Sequence, residues 1–358
     1  MLMKQPQTAQ TTHSCGSCCH TPTKWYKERL FITGSILIII YSLSFLISSL
    51  HPFSQSFTFY LSLTWFPITI GLLIGGIIDY LVPKEYIEKY LSRHNKKTII
   101  YAIIFGFLMT ACCHGILAIA IELYKKGAST SSVVAFLLAS PWANLPMTIL
   151  LFGFFGMKSL FIIGSSLLIA FTTGIIFLQL EKRNLVECDK CSTGKDVPIH
   201  SDFSIIDDIK NRVKHYAYTP KNIANAIKET LRGSWALAKM ILWWILIGMI
   251  VAALADAYIP PHIFIRYMGP TALGLIITLC LASIIEVCSE GSSPLAFEIY
   301  NKTGALGNSF TFLMAGVATD YTEIGLIWQT IGKKAALWIP IITIPQILIL
   351  SFIFNSFL

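Results

Sequence analysis

Apolar and polar residues alternate along this chain in long blocks. Apolar runs cover residues 30–50, 57–82, 98–124, 131–155 and 159–180, and then 234–257, 271–300, 307–331 and 335–358. Several continue for the roughly 20 residues that a helix needs to span a bilayer. The pattern predicts an all-α polytopic membrane protein. Its parts would be a polar tail at 1–29, a leading transmembrane helix and loop at 30–56, one unit at 57–180, a polar linker at 181–233 and a second unit at 234–358.

The basic residues between the runs set the expected orientation. Lys24, Lys27 and Arg29 precede the first run and place the N-terminus in the cytoplasm, while 51–56 carries no Lys or Arg and should lie outside. The second run ends at Lys84, Lys89, Arg93, Lys96 and Lys97, a cytoplasmic cluster. The segment 181–232 holds ten Lys and Arg residues and should be cytoplasmic too. Three full crossings between Lys97 and Glu181 would put it outside, so one run must turn back. The better candidate is 98–124, whose middle is broken by Cys112-Cys113-His114-Gly115 and whose Lys125-Lys126 then stays inside. The rival is 131–155, broken by Ser140-Pro141 and Asn144-Leu145-Pro146.

The two units repeat one another. At a spacing of 176, Cys112, Gly115, Ala120, Glu122, Tyr124 and Lys126 match Cys288, Gly291, Ala296, Glu298, Tyr300 and Lys302. At 177, Asp79, Pro83, Lys89 and Tyr90 are followed by Asp256, Pro260, Arg266 and Tyr267. With three crossings per unit the copies are opposite in orientation. Inverted repeats with broken or re-entrant helices meeting at mid-membrane are a transporter signature.

Composition adds exclusions. The chain is 54% hydrophobic and 13% charged, with a mean hydropathy of +0.66. Its net charge of +8 is scattered between apolar runs, which is no nucleic-acid footprint. No cleavable signal peptide is expected before the first run. No glycine-rich phosphate loop ending in Lys-Ser/Thr occurs, which argues against ATP as the energy source. Nine cysteines with vicinal and CxxC spacings argue against a disulfide framework. In the tail, Cys15, Cys18, Cys19 and His20 suit zinc or copper(I), against a tail whose thiols bind nothing. Cys188 and Cys191 form a lone CxxC in the linker: half a zinc site, a redox dithiol or an incidental pair. No cofactor is required on this reading, and the oligomeric state is open.

The candidate chemistry lies inside the runs. A charge at the bilayer centre costs roughly 2.5–3.5 kcal/mol on insertion scales, so Glu286, Glu290, Asp320 and Glu323 should line a cavity, bind a cation or carry protons. Glu290 is the preferred ligand because it occupies the repeat position of His114. Glu286, Asp320 and Glu323 are the candidates for ion coupling; the alternative is that some acids lie near a membrane end and are simply solvated, Glu323 and Glu286 first among them. Cys112, Cys113, His114 and Cys288 offer thiolate and imidazole to soft or borderline ions such as copper(I), zinc and trivalent arsenic. Asn144 and Asp320 correspond at 176 beside breaks that expose helix ends. Asp79 and Asp256 read as helix-end or loop-fixing residues rather than substrate ligands, and Cys280 as packing.

The stretches Glu286-Val287-Cys288-Ser289-Glu290-Gly291-Ser292-Ser293-Pro294 and Phe312-Leu313-Met314-Ala315-Gly316-Val317-Ala318-Thr319-Asp320 resemble the predicted permeases related to ArsP, the organoarsenical exporters. Lys126-Gly127-Ala128 followed by Ala135-Phe136-Leu137-Leu138-Ala139-Ser140-Pro141 fits the same family, over most of 57–358. The resemblance implies a secondary permease for a small inorganic or organometalloid substrate. It further implies efflux from the inner membrane, with relatives linked to organoarsenical, copper or zinc export. The family's Cys-Ser-Cys-Gly type motif is replaced here by Cys112-Cys113-His114-Gly115, which points to a different preferred substrate. A membrane thiol-disulfide oxidoreductase and a passive channel stand as rivals. Membrane carboxylates would be superfluous to the first and Glu290 to the second.

Overall fold

Among the residues that the computed structural model describes, 29–81, 96–109, 113–125, 128–187, 220–285 and 289–357, every regular element is a helix. Helix α1 is Arg29–Leu43 and α2 is His51–Leu81. Four short helices follow: α3 (Lys96–Leu108), α4 (Cys113–Lys125), α5 (Thr130–Ala143) and α6 (Leu145–Phe155). Then come the long helices α7 (Ser159–Lys182) and α8 (Pro220–Tyr258), and the short α9 (Pro261–Met268). The order of α3–α7 recurs as α10 (Ala272–Ile285), α11 (Ser289–Thr303), α12 (Leu306–Ala318), α13 (Tyr321–Thr330) and α14 (Lys333–Phe357). The first residues of α10, α11, α12 and α13 lie 176 positions after those of α3, α4, α5 and α6.

Local chemistry explains where the short helices stop. Asn144 takes an extended conformation between α5 and α6, and its Oδ1 accepts the Met147 N–H at 2.7 Å. Pro146 sits in the first turn of α6, where its missing N–H is no loss. Its counterpart Asp320 caps α13 in the same way. Its Oδ1 accepts from the N–H groups of Thr322 at 2.7 Å and Glu323 at 3.1 Å. Gly156 and Gly332, also 176 apart, turn the chain into α7 and α14 at φ of +55° and +155°, which side chains rarely permit.

Polar contacts fix which ends lie together. Glu181, at the end of α7, accepts from the Ser131 N–H at 2.9 Å and hydroxyl at 3.0 Å at the start of α5. Glu187 accepts from the N–H groups of Lys334 and Ala335 at the start of α14. Tyr124 of α4 donates to the Ile331 carbonyl after α13. All of this lies at the end from which the linker leaves, the linker end. At the far end, Tyr258 donates to the Ser49 carbonyl and Asn355 of α14 accepts from the Gly307 N–H of α12.

The stretch Thr130–Lys182 therefore folds back on itself. Helices α5 and α6 together cross from linker end to far end, and α7 returns. The pair α12–α13 crosses the other way before α14. Helix α3 begins near the linker end, where Ile99 packs under Gly174 of α7, and reaches mid-depth with Gly106 against Phe136 and Ser140. Helix α4 returns to the linker end at Tyr124, so α3–α4 is re-entrant. From the far end, α10 descends beside α12, with Thr278 accepting from Asn308 Nδ2 at 3.1 Å and Ser283 accepting from Thr319 at 2.9 Å, and α11 returns outward.

Counterpart helices run antiparallel. Ser56, early in α2, donates to Asp256, late in α8, while Gly76, late in α2, lies against Thr230 and Ser234, early in α8. Gln346 of α14 binds Thr172 and Thr173 of α7, and Phe354 meets Phe161. Opposite direction in equivalent helices is inverted-repeat architecture. Large apolar side chains such as Phe45, Trp65, Phe66, Ile276, Ile284 and Phe352 face outward, as a chain solvated by lipid requires. The bent pair α9–α10, at 103°, leaves α9 across the far end with Phe264 buried beneath it.

The packing also breaks the symmetry. Helices α2 and α8 lie side by side, α2 on α6 and α8 on α11, and α6 touches α11. The related pair, α4 and α13, also touch, but among the described residues neither α2 on α4 nor α8 on α13 packs comparably.

Candidate functional site

Glu290 is the second residue of α11, at the inner tip of the re-entrant pair, and is 1% exposed. Ser289 donates to its Oε2 at 3.1 Å, and Asn144 Nδ2 lies at hydrogen-bond reach, 3.5 Å, from its Oε1. The amino ends of α6 and α11 thus converge on one carboxylate, and each helix end carries roughly half a positive charge. That is how a carboxylate is tolerated at this depth. Ser293, one turn on, donates to the Ser289 carbonyl and reaches the sulfur of Met147.

Small residues let the surrounding helices close on this point. A Cβ on Gly248 of α8 would lie 1.9 Å from the Gly291 carbonyl oxygen, so the α8 and α11 backbones touch beside Glu290. A Cβ on Gly71 of α2 would lie 3.2 Å from Pro146 Cα, at the start of α6. Between these contacts a crevice of about 330 Å³, measured to its open mouth, reaches Glu290. Its other walls are apolar, including Ile68 and Leu72 of α2, Leu150 of α6 and Ile241 and Ile245 of α8. An acid in an apolar crevice at the meeting of broken helices can bind a cation or proton and be screened from bulk water while doing so.

The structure brings Asn144 and Glu290 together. Cys113 and His114 open α4 at the tip of the other re-entrant pair, at the repeat positions of Ser289 and Glu290. Cys112, Glu286 and Cys288 fall outside the described residues, as do Cys15, Cys18, Cys19, His20, Cys188 and Cys191. Among the described residues no three of His, Cys, Asp and Glu gather closely enough to hold a metal ion. Asp320 is partly buried, with Oδ1 occupied in capping α13.

Two readings need correction. Glu323 does not sit in solvent at a membrane end. It is 4% exposed in the first turn of α13, because the α12–α13 break carries it into the interior beside Leu137 and Ile339. Cys280 does not pack in the core but lies on the exposed face of α10. Asp256 lies near the end of α8. It accepts from Ser56 at 2.6 Å and pairs with Lys302, which also lies 3.5 Å from Glu298, a carboxylate with no exposed side-chain surface.

Tyr60 of α2 donates to Glu298, so α2, α8 and α11 share one polar cluster at the far end. The repeat identities had marked Glu298, Lys302 and Asp256. What sequence could not show was that α2 and α8 converge on them.

The comparisons with known proteins agree with this architecture. Residues 49–356 match the family ArsP_1, described as a predicted permease. The UPF0718 protein MJ0584 of Methanocaldococcus jannaschii is 22% identical over 312 residues, covering 75% of this chain and 86% of that protein. A Streptococcus mutans protein named "Putative two-component membrane permease complex subunit" is 21% identical over 270 residues, covering 75% of this chain and 83% of its own length. No solved structure matches the chain significantly.

Proposed function

We propose, for a chain that belongs to the predicted permease family matched by its residues 49–356, secondary-active export of a soft metal, metalloid or organometalloid species, coupled to protons or another ion. The observation that carries the reading is Glu290. It is a buried carboxylate at the tip of a re-entrant pair, held by Asn144 at a break in a crossing helix and reached by a crevice. Soft-ion preference rests on the residues beside it in sequence. Cys288 immediately precedes α11 in sequence, as Cys112 precedes α4, which opens with Cys113 and His114. Asn144 and Asp320 position the half-helices, and Glu286 and Glu323 are the remaining acids for ion coupling. The Cys-rich tail and linker would collect zinc or copper(I) on the donor side.

Orientation follows from charge. The linker end carries Lys96, Lys97, Lys182, Arg183, Lys228, Arg232, Lys333 and Lys334, against Lys158, Arg266 and Lys302 at the far end. In an inner membrane this puts the linker end, and the N-terminus before α1, in the cytoplasm. The asymmetric seating of α2 and α8 supports alternating access: a carrier built from inverted repeats occupies one of two mirror-related states at a time.

The test is uptake into everted membrane vesicles of zinc, copper(I), arsenite and methylarsenite, by the unaltered chain and by Glu290→Gln and Cys288→Ser. Proton-gradient-dependent uptake of one of them, reduced at least about tenfold in both variants, is expected. Uptake of none, with the variants indistinguishable from the parent, removes the reading.

A further inference from the structure

The far-end cluster is built unlike an ordinary surface salt bridge. It draws Ser56 and Tyr60 from α2, Asp256 from α8, and Glu298 and Lys302 from α11. One ammonium is shared by two carboxylates. Glu298 is fully buried, its Oε2 takes the Tyr60 hydroxyl, and its Oε1 faces the Lys302 ammonium at 3.5 Å.

Other titratable groups lie on the helices around α11, with His51 exposed at the start of α2. Lys158, beyond α6, is engaged with the Tyr300 hydroxyl at 2.7 Å and sits over its ring. His262 and Arg266 lie on the exposed faces of α9. Helix α12 carries no titratable side chain. An apolar plug lies between the cluster and Glu290: Phe297 stacks on Phe154, meets Phe155 edge-on and also meets Tyr60 edge-on.

We propose that Glu298, with Tyr60, Asp256 and Lys302, is a proton-binding site that holds the far end shut. Two ionised carboxylates against one ammonium would leave a net negative charge with Glu298 fully buried, although Asp256 and Lys302 keep partial exposure, and a buried charge without its own counter-ion is costly. With a proton on Glu298 the cluster is neutral. Lys302 then pairs with Asp256, and Glu298 is neutral. Loss of that proton favours hydration of the cluster and separation of α2 and α8 from α11, opening the face of α11 on the path to Glu290. The sign follows: rising pH favours the open far end and falling pH the closed one. Exposure across the repeat fits this. Glu298 is buried where α2 and α8 pack on α11, whereas its counterpart Glu122 on α4 is exposed.

The inference rests on the permease reading only for its meaning as coupling, because the test needs no substrate. Ser293, buried between Glu290 and Glu298 on α11, is replaced by Cys. Its modification by a membrane-impermeant thiol reagent, supplied at the far-end face, is followed by peptide mapping from about pH 5.5 to 8.5. Rates are taken relative to Ser49→Cys, an exposed far-end position, to remove thiol ionisation.

The relative rate should rise about tenfold across the range. Glu298→Gln, which mimics the protonated acid, and Asp256→Asn, which leaves a neutral Lys302–Glu298 pair, should both stay slow and lose the pH dependence. Lys302→Met should label fast at the upper pH. A network that merely braces the helices would loosen in all three variants. Faster labelling of Glu298→Gln or Asp256→Asn, or a flat pH profile in the unaltered cluster, overturns the proposal. Should a variant fail to accumulate, the profile of the unaltered cluster decides alone. Failure here would leave the vesicle uptake result standing, and failure of uptake would leave this one standing.

Discussion

Asn144 shows how one residue serves fold and site together. Its Oδ1 caps α6 while its Nδ2 faces Glu290. Asn144→Ala should lower stability by about 1 kcal/mol through the lost cap. Asn144→Asp keeps the cap but sets a second acid against Glu290, so thermal unfolding in detergent should show it more damaging at high pH than at low. Equal effects at both would mean the Nδ2 contact is incidental.

Glu187, outside the membrane helices, gives the opposite kind of case. Partial burial would raise its carboxyl. The Lys334 and Ala335 N–H groups and the Lys334 charge outweigh this and hold it below its ordinary value near 4.5. A carboxyl lowered on folding contributes stability above that ordinary value and loses it as pH falls through the lower, folded one. Glu187→Gln should flatten this acid limb of a melting-temperature profile, and an unchanged limb would contradict it.

Among the elements, the re-entrant pair α3–α4 was legible from charge. Lys125-Lys126 and the basic linker could not both lie on the cytoplasmic side if every run crossed. The breaks at Asn144 and Asp320 were legible as polar or proline-marked interruptions at a repeat spacing. What escaped the sequence was how helices distant in the chain converge. Glu298 stands in the polar stretch Glu298-Ile299-Tyr300-Asn301-Lys302, which reads as a solvated helix face until Tyr60 and Asp256 arrive from two other helices. Gly248 is silent for the same reason, since its role exists only where α8 meets the Gly291 carbonyl. Gly248→Ala should force these backbones apart, at about 1–3 kcal/mol for an overpacked contact. It should also impair transport more than Gly164→Ala, where a Cβ meets open space, and equal activity of the two would count against close α8–α11 packing.

At the scale of the whole molecule, two inverted repeats hold one pair of helices, α2 and α8, on only one of two equivalent faces. They cover α6 and α11, bury Glu298 and leave α4 and α13 without comparable cover. Transport, on this account, requires that pair to leave the first face for the second, with Glu290 at the pivot. The most direct measurement is uptake of the identified substrate by a chain carrying Gly71→Cys and Pro146→Cys. A Cβ on Gly71 would lie 3.6 Å from that of residue 146, within the span of a disulfide. The reduced variant should transport, oxidation should arrest it by tying α2 to α6, and reductant should restore it. Undiminished uptake by the fully cross-linked chain would contradict the account, because it would make α2 and α6 a fixed scaffold.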